Sequence, residues 1–426
     1  MEELELIGLN EKIYVYHTST GLPIYMWVNE KIKSMYASLS VKYGSVDTKF
    51  KVGKKVYEVP NGIAHFLEHI KFNIDEDTSA HDEFYKIGGD ANAFTTFNYT
   101  SYIVMATEKK VENVSLLLDY VYNPYFTKKT VLKEKGIIIE EANMTLDDPY
   151  SVCFFDTLKN TFSKYKYRNL ITGTKDEVNS ITLEDVSLVY DIFYHPKNMF
   201  LCLTGNFNPY EMAKVVEENL EKKEFLEYQN PEKIKDNEPK KIGKKNNVEY
   251  INITNPIIKV QIKIDKKRFK LDDLKLKLIS SLVMNINFGA TSDFNDDLMN
   301  KELITSMYPS TDIYDEYLVL GITINTNYVN EVIRKLDNKL NDLSVNKIDF
   351  KRKKNAQIAT LILNYEDVEN VNMNIQDNII KYNEIITNYK GIIEALDIED
   401  LNYFLDNLSL ENIAYNVFMP KETQQA

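Results

Sequence analysis

The chain has 426 residues and a formal net charge of −13, because 64 Asp and Glu residues outnumber 51 Lys and Arg residues. This negative charge argues against nucleic acid or an anionic membrane as the main partner. The length suggests about two to three domains, and 44% hydrophobic with 27% charged residues is typical of a globular protein. The two cysteines are too few for a secreted disulfide framework. The sequence shows no signal peptide and no apolar run of about 18 residues, so we expect a cytoplasmic protein without a membrane span.

Hydrophobic periodicity predicts strands and helices in two successive groups. The first group contains, in chain order, strands within 12–28 and at 35–43, helices from about residue 63 and at 79–87, extended segments at 91–96 and 100–106, helices at 113–122, 129–144 and 183–193, and a strand at 200–205. The second group contains a strand at 248–264, a helix at 271–288, a strand at 318–325, and helices at 330–343 and 350–382. Strands followed by helices, twice over, indicate an α+β fold with two halves.

A polar segment at residues 227–247 separates the two groups. It contains two prolines, one glycine, many charges and few apolar residues, so we expect a solvated hinge. The segment divides the chain into a first domain at 1–226 and a second domain at 248–426. No histidine follows His195 in the sequence, so metal chemistry that uses imidazole groups is expected in the first domain.

The motif His65-Phe66-Leu67-Glu68-His69 carries most of the functional information, because it matches the inverted zinc-binding pattern H-x-x-E-H. His65 and His69 are four residues apart, so both imidazoles lie on one face of a helix and can bind one ion. Glu68 lies beside that face, where its carboxylate can act as a general base on water. The alternative is a surface helix with two histidines by chance, although the whole chain has only five.

A third metal ligand is needed, because a catalytic zinc ion has three protein ligands and an open fourth position. The acidic helix predicted in the first domain offers Glu134, Glu140 and Glu141. Glu134 and Glu141 are seven residues apart and share one stripe of the helix. Ile137 and Ile138 precede Glu141 by about one turn, and we expect them to be buried beside it. Glu140 is rotated by about 100° and is expected to face solvent. The spacing favours Glu141 and leaves the other two open.

Four segments of the first domain resemble the pitrilysin and insulysin-type zinc peptidases, in the short branch that includes the mitochondrial processing peptidase. They are GIAHFLEH at 62–69, GGDANAFTTFNYTSY at 88–102, PYFTKKTVLKEKGIIIEE at 124–141 and FYHPKNM at 193–199. Within that family the motifs are most similar to those of the bacterial YmfH-type proteins. The resemblance implies two similar halves, each a mainly antiparallel sheet packed with helices, which together form one half of a clamshell.

The resemblance also implies roles for particular residues. His65, His69 and Glu141 are expected to bind one Zn²⁺ per chain, and Glu68 is expected to be the general base. Glu134 matches a second acidic residue near the family's active site, and we expect it to support the ligands.

The stretch 90–96 matches the family's edge strand, on which an extended substrate pairs as an added strand. The resemblance implies that Asn92, Ala93 and Phe94 bind the substrate. For Asn92 the alternative is an ordinary asparagine of a turn and strand.

One departure from the family concerns the second domain, where many members have an arginine and a tyrosine that help to bind substrate. The comparable stretch at 292–304 lacks the arginine, and Met299 or Asn300 stands near its place. Tyr308 is the candidate for the tyrosine. Either a partner chain completes the site or this branch dispenses with the pair. We therefore expect a homodimer or a heterodimer with a related subunit.

Two functions remain open from the sequence. The first is a zinc metalloendopeptidase that cleaves short or unfolded peptides in processing or clearance, with the second domain as chamber wall. The second is a non-catalytic peptide-binding or scaffold subunit of a two-chain peptidase. Such subunits usually have a broken H-x-x-E-H motif, and the motif here is intact, which favours catalysis.

Overall fold

The computed structural model describes residues 1–421 and divides into two compact units. Unit 1 consists of residues 1–144, 169–235 and 361–389, and unit 2 consists of residues 145–168, 236–360 and, as far as the structure is described, 390–421. Each unit is a mainly antiparallel sheet packed with helices, which confirms the predicted α+β fold class. Among the described residues, each helix falls short of the length and apolar character that crossing a membrane requires.

The strands of unit 1 form one large sheet and one small sheet. They are β1 (Glu2–Leu6), β2 (Glu11–His17), β3 (Pro23–Val28), β4 (Met35–Val41), β5 (Lys49–Val52), β6 (Lys55–Glu58), β7 (Gly89–Thr95), β8 (Thr100–Ala106), β9 (Met199–Gly205) and β10 (Glu232–Lys233). The large sheet has the order β1-β2-β3-β9-β4-β8-β7, in which only the β3–β9 pair is parallel. Strand β7 therefore lies at an edge of this sheet.

The helices of unit 1 cover both faces of the large sheet. They are α1 (Ile63–Lys71), α2 (Ala80–Lys86), α3 (Lys110–Tyr122), α4 (Lys128–Asp147, of which 128–144 belong to unit 1), α6 (Lys175–Ser180), α7 (Leu183–Phe193), α8 (Pro209–Leu220) and α13 (Val368–Tyr382). Every residue of the central strands β4 and β9 is buried. Leu39 shares a core with Phe66 of α1, whereas Tyr36 faces the other way and shares a core with Val371 of α13.

Unit 2 contains a five-stranded sheet with the order β11-β15-β12-β14-β13. Its strands are β11 (Asn246–Ile251), β12 (Ile257–Asp265), β13 (Ser306–Tyr314), β14 (Tyr317–Asn325) and β15 (Ile413–Pro420). Its helices are α5 (Pro149–Thr161), α9 (Asp273–Phe288), α10 (Asp293–Asn300), α11 (Val329–Leu340), α12 (Lys347–Leu363, of which 347–360 belong to unit 2), α14 (Tyr389–Ala395, of which 390–395 belong to unit 2) and α15 (Ile398–Asn407). The single strand predicted at 248–264 is wrong. The chain bends before Pro256, and the two strands on either side of the bend pair with β15 in opposite directions.

The long helix predicted at 350–382 is also wrong, because α12 ends at Leu363 and α13 begins at Val368. Asp367 has an extended backbone, and its side chain accepts a hydrogen bond from the backbone N–H of Asn370, which caps α13. Helix α13 belongs to unit 1, and residues 145–168 belong to unit 2. The compact units therefore interleave along the chain, whereas the predicted domains at 1–226 and 248–426 are continuous. As functional domains, those ranges stay a prediction.

The sequence predicts a solvated hinge at 227–247, but part of this segment is buried. Strand β10 pairs with β5, and the side chain of Glu238 is fully buried. One Glu238 oxygen lies 2.5 Å from Nζ of Lys263, which is also fully buried. The carboxylate accepts hydrogen bonds from the backbone N–H groups of residues 163, 164 and 165 at 3.0, 2.7 and 2.9 Å. Residue 238 is thus a structural anchor of unit 2 within a polar sequence.

Candidate metal centre

Helix α1 places the H-x-x-E-H motif at the interior of unit 1. The helix begins after Gly62, which has a left-handed backbone with φ of 86°, and an added Cβ there would lie 2.4 Å from the carbonyl oxygen of Thr172. Ile63, Phe66 and Ile70 pack into the core of the sheet. The spacing of these apolar residues fixes the rotation of the helix, so that His65, Glu68 and His69 lie on the face next to the apolar one.

The two imidazoles of α1 converge on one carboxylate of α4. The ring centroids of His65 and His69 are 4.5 Å apart. Nε2 of His65 lies 3.5 Å from Oε1 of Glu141, and Nε2 of His69 lies 3.2 Å from Oε2. Two imidazole nitrogens and one carboxylate are a donor set that catalytic zinc sites use, so these residues fit a zinc ion.

The electrostatics of this cluster favour a cation. The hydrogen bonds from His65 and His69 hold the pKa of the Glu141 carboxyl well below its usual range. Burial lowers the pKa of His69, but the hydrogen bond to Glu141 and the negative charges of Glu68, Glu141 and Glu134 outweigh this effect and raise it. A positive charge between these groups is therefore stabilised.

The three candidate glutamates of α4 occupy different positions around the imidazoles. Glu134 is buried; its Oε2 lies 3.9 Å from Nδ1 of His69, too long for a hydrogen bond, and its Oε1 accepts a hydrogen bond from Asn73 at 3.3 Å. Glu140 is exposed, as its rotation on the helix predicted. The expectation that Ile137 is buried is wrong, because its exposed fraction is 46%, whereas Ile138 is fully buried as expected.

The Nδ1 atoms of His65 and His69 have different surroundings. Nδ1 of His69 faces Glu134, which suits the supporting role expected of that carboxylate. Nδ1 of His65 is buried and has no hydrogen-bond partner within residues 1–421. Within the described residues, a carboxylate thus lies near Nδ1 of His69, whereas Nδ1 of His65 has no hydrogen-bond partner.

Glu68 lies with the imidazoles and is bonded to a residue that the sequence did not single out. Its side chain is 7% exposed, and one of its oxygens lies within 4.8 Å of ring nitrogens of His65 and His69. Its Oε2 accepts a hydrogen bond of 2.6 Å from the hydroxyl of Thr95. Thr95 lies in a segment that resembles the family, but its spacing from Glu68 in the sequence gives no sign of this contact.

Strand β7 brings the predicted substrate-binding residues beside α1. It pairs with β8 on one side, and within residues 1–421 no further strand pairs with its other side. Asn92 is exposed, and its side-chain oxygen accepts a hydrogen bond from the backbone N–H of Ala93 at 2.9 Å. Ala93 and Phe94 are half-buried. A free strand edge next to the metal centre is thus present.

Met299, Asn300 and Tyr308 lie in unit 2 with exposed side chains. Their part in substrate binding stays a prediction.

Comparison with known proteins identifies relatives of the whole chain. Residues 30–175 match the family model described as Insulinase (Peptidase family M16), and residues 180–357 match Peptidase M16 inactive domain. Zinc protease YmfH of Bacillus subtilis (strain 168) is 35% identical over 321 residues, which cover 74% of each chain. Zinc protease PqqE of Helicobacter pylori is 25% identical over 435 residues, which cover 95% of this chain and 97% of that one.

Solved structures show the same fold. An M16-like peptidase from Alicyclobacillus acidocaldarius has a TM-score of 0.91 at 24% identity and covers 97% of this chain and 100% of that one. Pitrilysin has a TM-score of 0.77 at 15% identity, and the match covers 98% of this chain but 46% of that one.

Proposed function

The chain belongs to the insulinase family of peptidases, family M16, and we propose that it is a zinc metalloendopeptidase that hydrolyses peptide bonds in short or unfolded peptides. The observation that carries this proposal is the convergence of His65, His69 and Glu141 beside the buried carboxylate of Glu68. Its relatives YmfH and PqqE are named zinc proteases, which supports the same chemistry. Processing of precursors and clearance of peptides both fit such an activity.

We assign His65, His69 and Glu141 as the ligands of one zinc ion per chain. When bound, zinc supplies Lewis acidity, which lowers the pKa of water and polarises a carbonyl group. The carboxylate of Glu141 faces both imidazoles and offsets part of the charge of the cation. Glu134 is assigned to the orientation of His69 through Nδ1, because its buried carboxylate lies on that side of the ring.

Glu68 performs the proton transfers. Its carboxylate accepts the proton of the attacking water and later donates that proton to the nitrogen of the leaving amine. Burial keeps bulk water away from this group, and the Thr95 hydroxyl occupies one of its two oxygens. The other oxygen is therefore the one that exchanges the proton.

Strand β7 holds the substrate. An extended peptide pairs with its free backbone edge as an added strand, which binds peptides of different sequence through main-chain hydrogen bonds. Asn92 is exposed on this strand and contacts the substrate backbone near the scissile bond, beside Ala93 and Phe94. A folded domain cannot present such a strand without unfolding, so unfolded peptides are preferred.

The active assembly contains two chains, alike or related. The match to pitrilysin covers 46% of that protein, so one pitrilysin chain is about as long as two copies of this one. The stretch at 292–304 lacks arginine, so a second chain supplies substrate contacts that this segment does not.

Glu68→Gln tests the proposal, with Glu140→Gln as the matched control on an exposed glutamate. Glutamine keeps the shape of the side chain but cannot accept the proton, so we expect kcat/KM on a quenched-peptide library to fall by about 10²- to 10⁴-fold. Zinc content, measured by atomic emission, should stay unchanged in both variants. Full activity in the Glu68 variant would show that another group is the base.

A further inference from the structure

Thr95 is the last residue of β7 and reaches across to helix α1. Its Oγ1 lies 2.6 Å from Oε2 of Glu68, the short distance expected of a hydroxyl that donates to a carboxylate. The same Oγ1 lies 3.4 Å from Oγ1 of Thr100, its partner in the β7–β8 pair. Thr100 in turn donates to the backbone carbonyl of Tyr43 at 3.1 Å.

These contacts show which acceptor receives the proton of the Thr95 hydroxyl. A carboxylate can only accept, so in the short contact with Glu68 the hydroxyl is the donor. Thr100 uses its own proton on the carbonyl of Tyr43 and cannot also donate it to Thr95. The Thr95 proton is therefore committed to Oε2 of Glu68.

The hydrogen bond from Thr95 constrains the terminal side-chain torsion of Glu68, which burial of the carbon chain does not fix. The terminal torsion of a glutamate is broad and roughly two-fold, so burial of the carbon chain does not by itself fix the plane of the carboxylate. The Thr95 bond fixes that plane and thereby the positions of both carboxylate oxygens. A general base needs such a fixed geometry, because a displacement of about 1 Å can cost about 10²-fold in rate.

We propose that Thr95 is a positioning residue for Glu68: its hydroxyl holds Oε2 and sets the orientation in which the carboxylate exchanges a proton. This inference rests on the proposed role of Glu68 as the base. Because Thr95 ends the strand on which the substrate is proposed to pair, the base is tied to the same element that aligns the scissile bond. Substrate alignment and proton transfer then share one rigid strand.

Two substitutions distinguish the effect of the Thr95 hydroxyl from the effect of its β-branched shape on the strand. Thr95→Val keeps the β-branched shape that suits a strand and removes the donor, whereas Thr95→Ser keeps the donor and gives up the branch. We expect Thr95→Val to lower kcat by about 10- to 100-fold with KM and zinc content unchanged. Thr95→Ser should stay close to the wild type. If Thr95 had a purely structural role, Thr95→Ser would lower kcat more than Thr95→Val, and this result would overturn the proposal.

The neighbouring Thr96 gives a matched control, since its hydroxyl accepts from the backbone of the β7–β8 turn. Thr96→Val should loosen that turn and lower kcat much less than Thr95→Val does. An equal loss in Thr96→Val and Thr95→Val would mean that the hairpin as a whole matters, and would refute a specific role for residue 95.

Crystal structures of the zinc-free variants give a readout that does not depend on activity. We expect one orientation of the Glu68 carboxylate in the wild type and in Thr95→Ser, and a rotated or multiple orientation in Thr95→Val. An unchanged orientation in Thr95→Val would overturn the proposal. If the carboxylate moves as expected but the wild type cleaves no peptide, the positioning role stands and the proposed peptidase function fails.

Discussion

Three glutamates of helix α4 provide a graded test of the zinc site, because they lie at different distances from the imidazoles. Glu141 contacts both Nε2 atoms, at 3.5 and 3.2 Å. The Oε2 atom of Glu134 lies 3.9 Å from Nδ1 of His69, the ring nitrogen that does not face Glu141. Glu140 is exposed on the same helix. Substitution of each by alanine changes the same side chain in the same element, so differences in zinc affinity report position alone.

The expected order follows from these distances. Glu134→Ala removes the carboxylate that orients His69, and a change of this kind costs about 10- to 100-fold in metal affinity, or about 1.4–2.7 kcal/mol. Glu141→Ala removes one of three direct donors, so its loss should exceed that range and leave the purified protein without zinc. Alanine at His65 or His69 should do the same. Glu140→Ala should bind zinc as the wild type does.

Competition against a fluorescent zinc chelator measures the affinities, and atomic emission gives the zinc-to-protein ratio of each purified variant. Circular dichroism of every variant checks that the helix is intact. Wild-type zinc binding in Glu141→Ala, or zinc loss in Glu140→Ala, would show that the third ligand has been misassigned. Equal losses in Glu134→Ala and Glu141→Ala would place both carboxylates in direct contact with the metal.

Two further predictions concern stability and assembly. Glu238→Ala removes the carboxylate that pairs with the buried Lys263 charge and accepts from three backbone N–H groups, so we expect the free energy of unfolding in urea to fall by about 3–5 kcal/mol. The exposed linker residue Glu232 gives the control, and we expect its substitution by alanine to change the free energy of unfolding by less than about 1 kcal/mol. Similar effects of the two substitutions would refute this account. Burial raises the pKa of Glu238, but the hydrogen bonds from Lys263 and the backbone outweigh this effect and hold the pKa below its usual value. The contribution of Glu238 to the free energy of unfolding is therefore fully present above the unfolded-state pKa and should be lost as the pH falls through the folded-state pKa. Light scattering should give the mass of two chains for the active species, and a denatured protein should be digested where its folded form is not; an active monomer that cuts compact folded proteins would contradict both expectations.

The convergence of the two imidazoles was predictable from the sequence, whereas their role as zinc ligands stays a prediction. Two imidazoles on one helix must lie about one turn apart to share an ion, and the spacing of His65 and His69 has this value. Helical periodicity also favoured Glu141 over Glu140, because neighbouring residues on a helix are rotated by about 100°, but it left Glu134 and Glu140 open. Ile137 shows the limit of this reasoning, because periodicity fixes relative rotation but does not say where the core begins.

Contacts between elements that are distant in the sequence were not predictable. The donor on Glu68 is a threonine 27 positions later in the chain, and the partner of Glu238 is a lysine on a strand of the sheet in unit 2. The composition around Glu238 indicated exposure to solvent, since six of its eight nearest neighbours in the sequence are charged residues, asparagine or proline. A single buried carboxylate within such a segment leaves no periodic signal.

Helix α13 shows why the domain containing the metal centre could not be delimited from sequence. Its inner face carries Asn372 and Gln376, which read as solvent-facing residues, yet both are fully buried against the large sheet of unit 1. Asn372 accepts a hydrogen bond from Ser38 at 2.6 Å, and Gln376 accepts one from Ser40 at 2.9 Å. A polar stripe on a helix is compatible either with water or with a fully paired polar network, and periodicity does not distinguish the two. A boundary drawn after residue 226 therefore leaves out a helix that covers one face of the large sheet of unit 1 and forms hydrogen bonds with its buried serines.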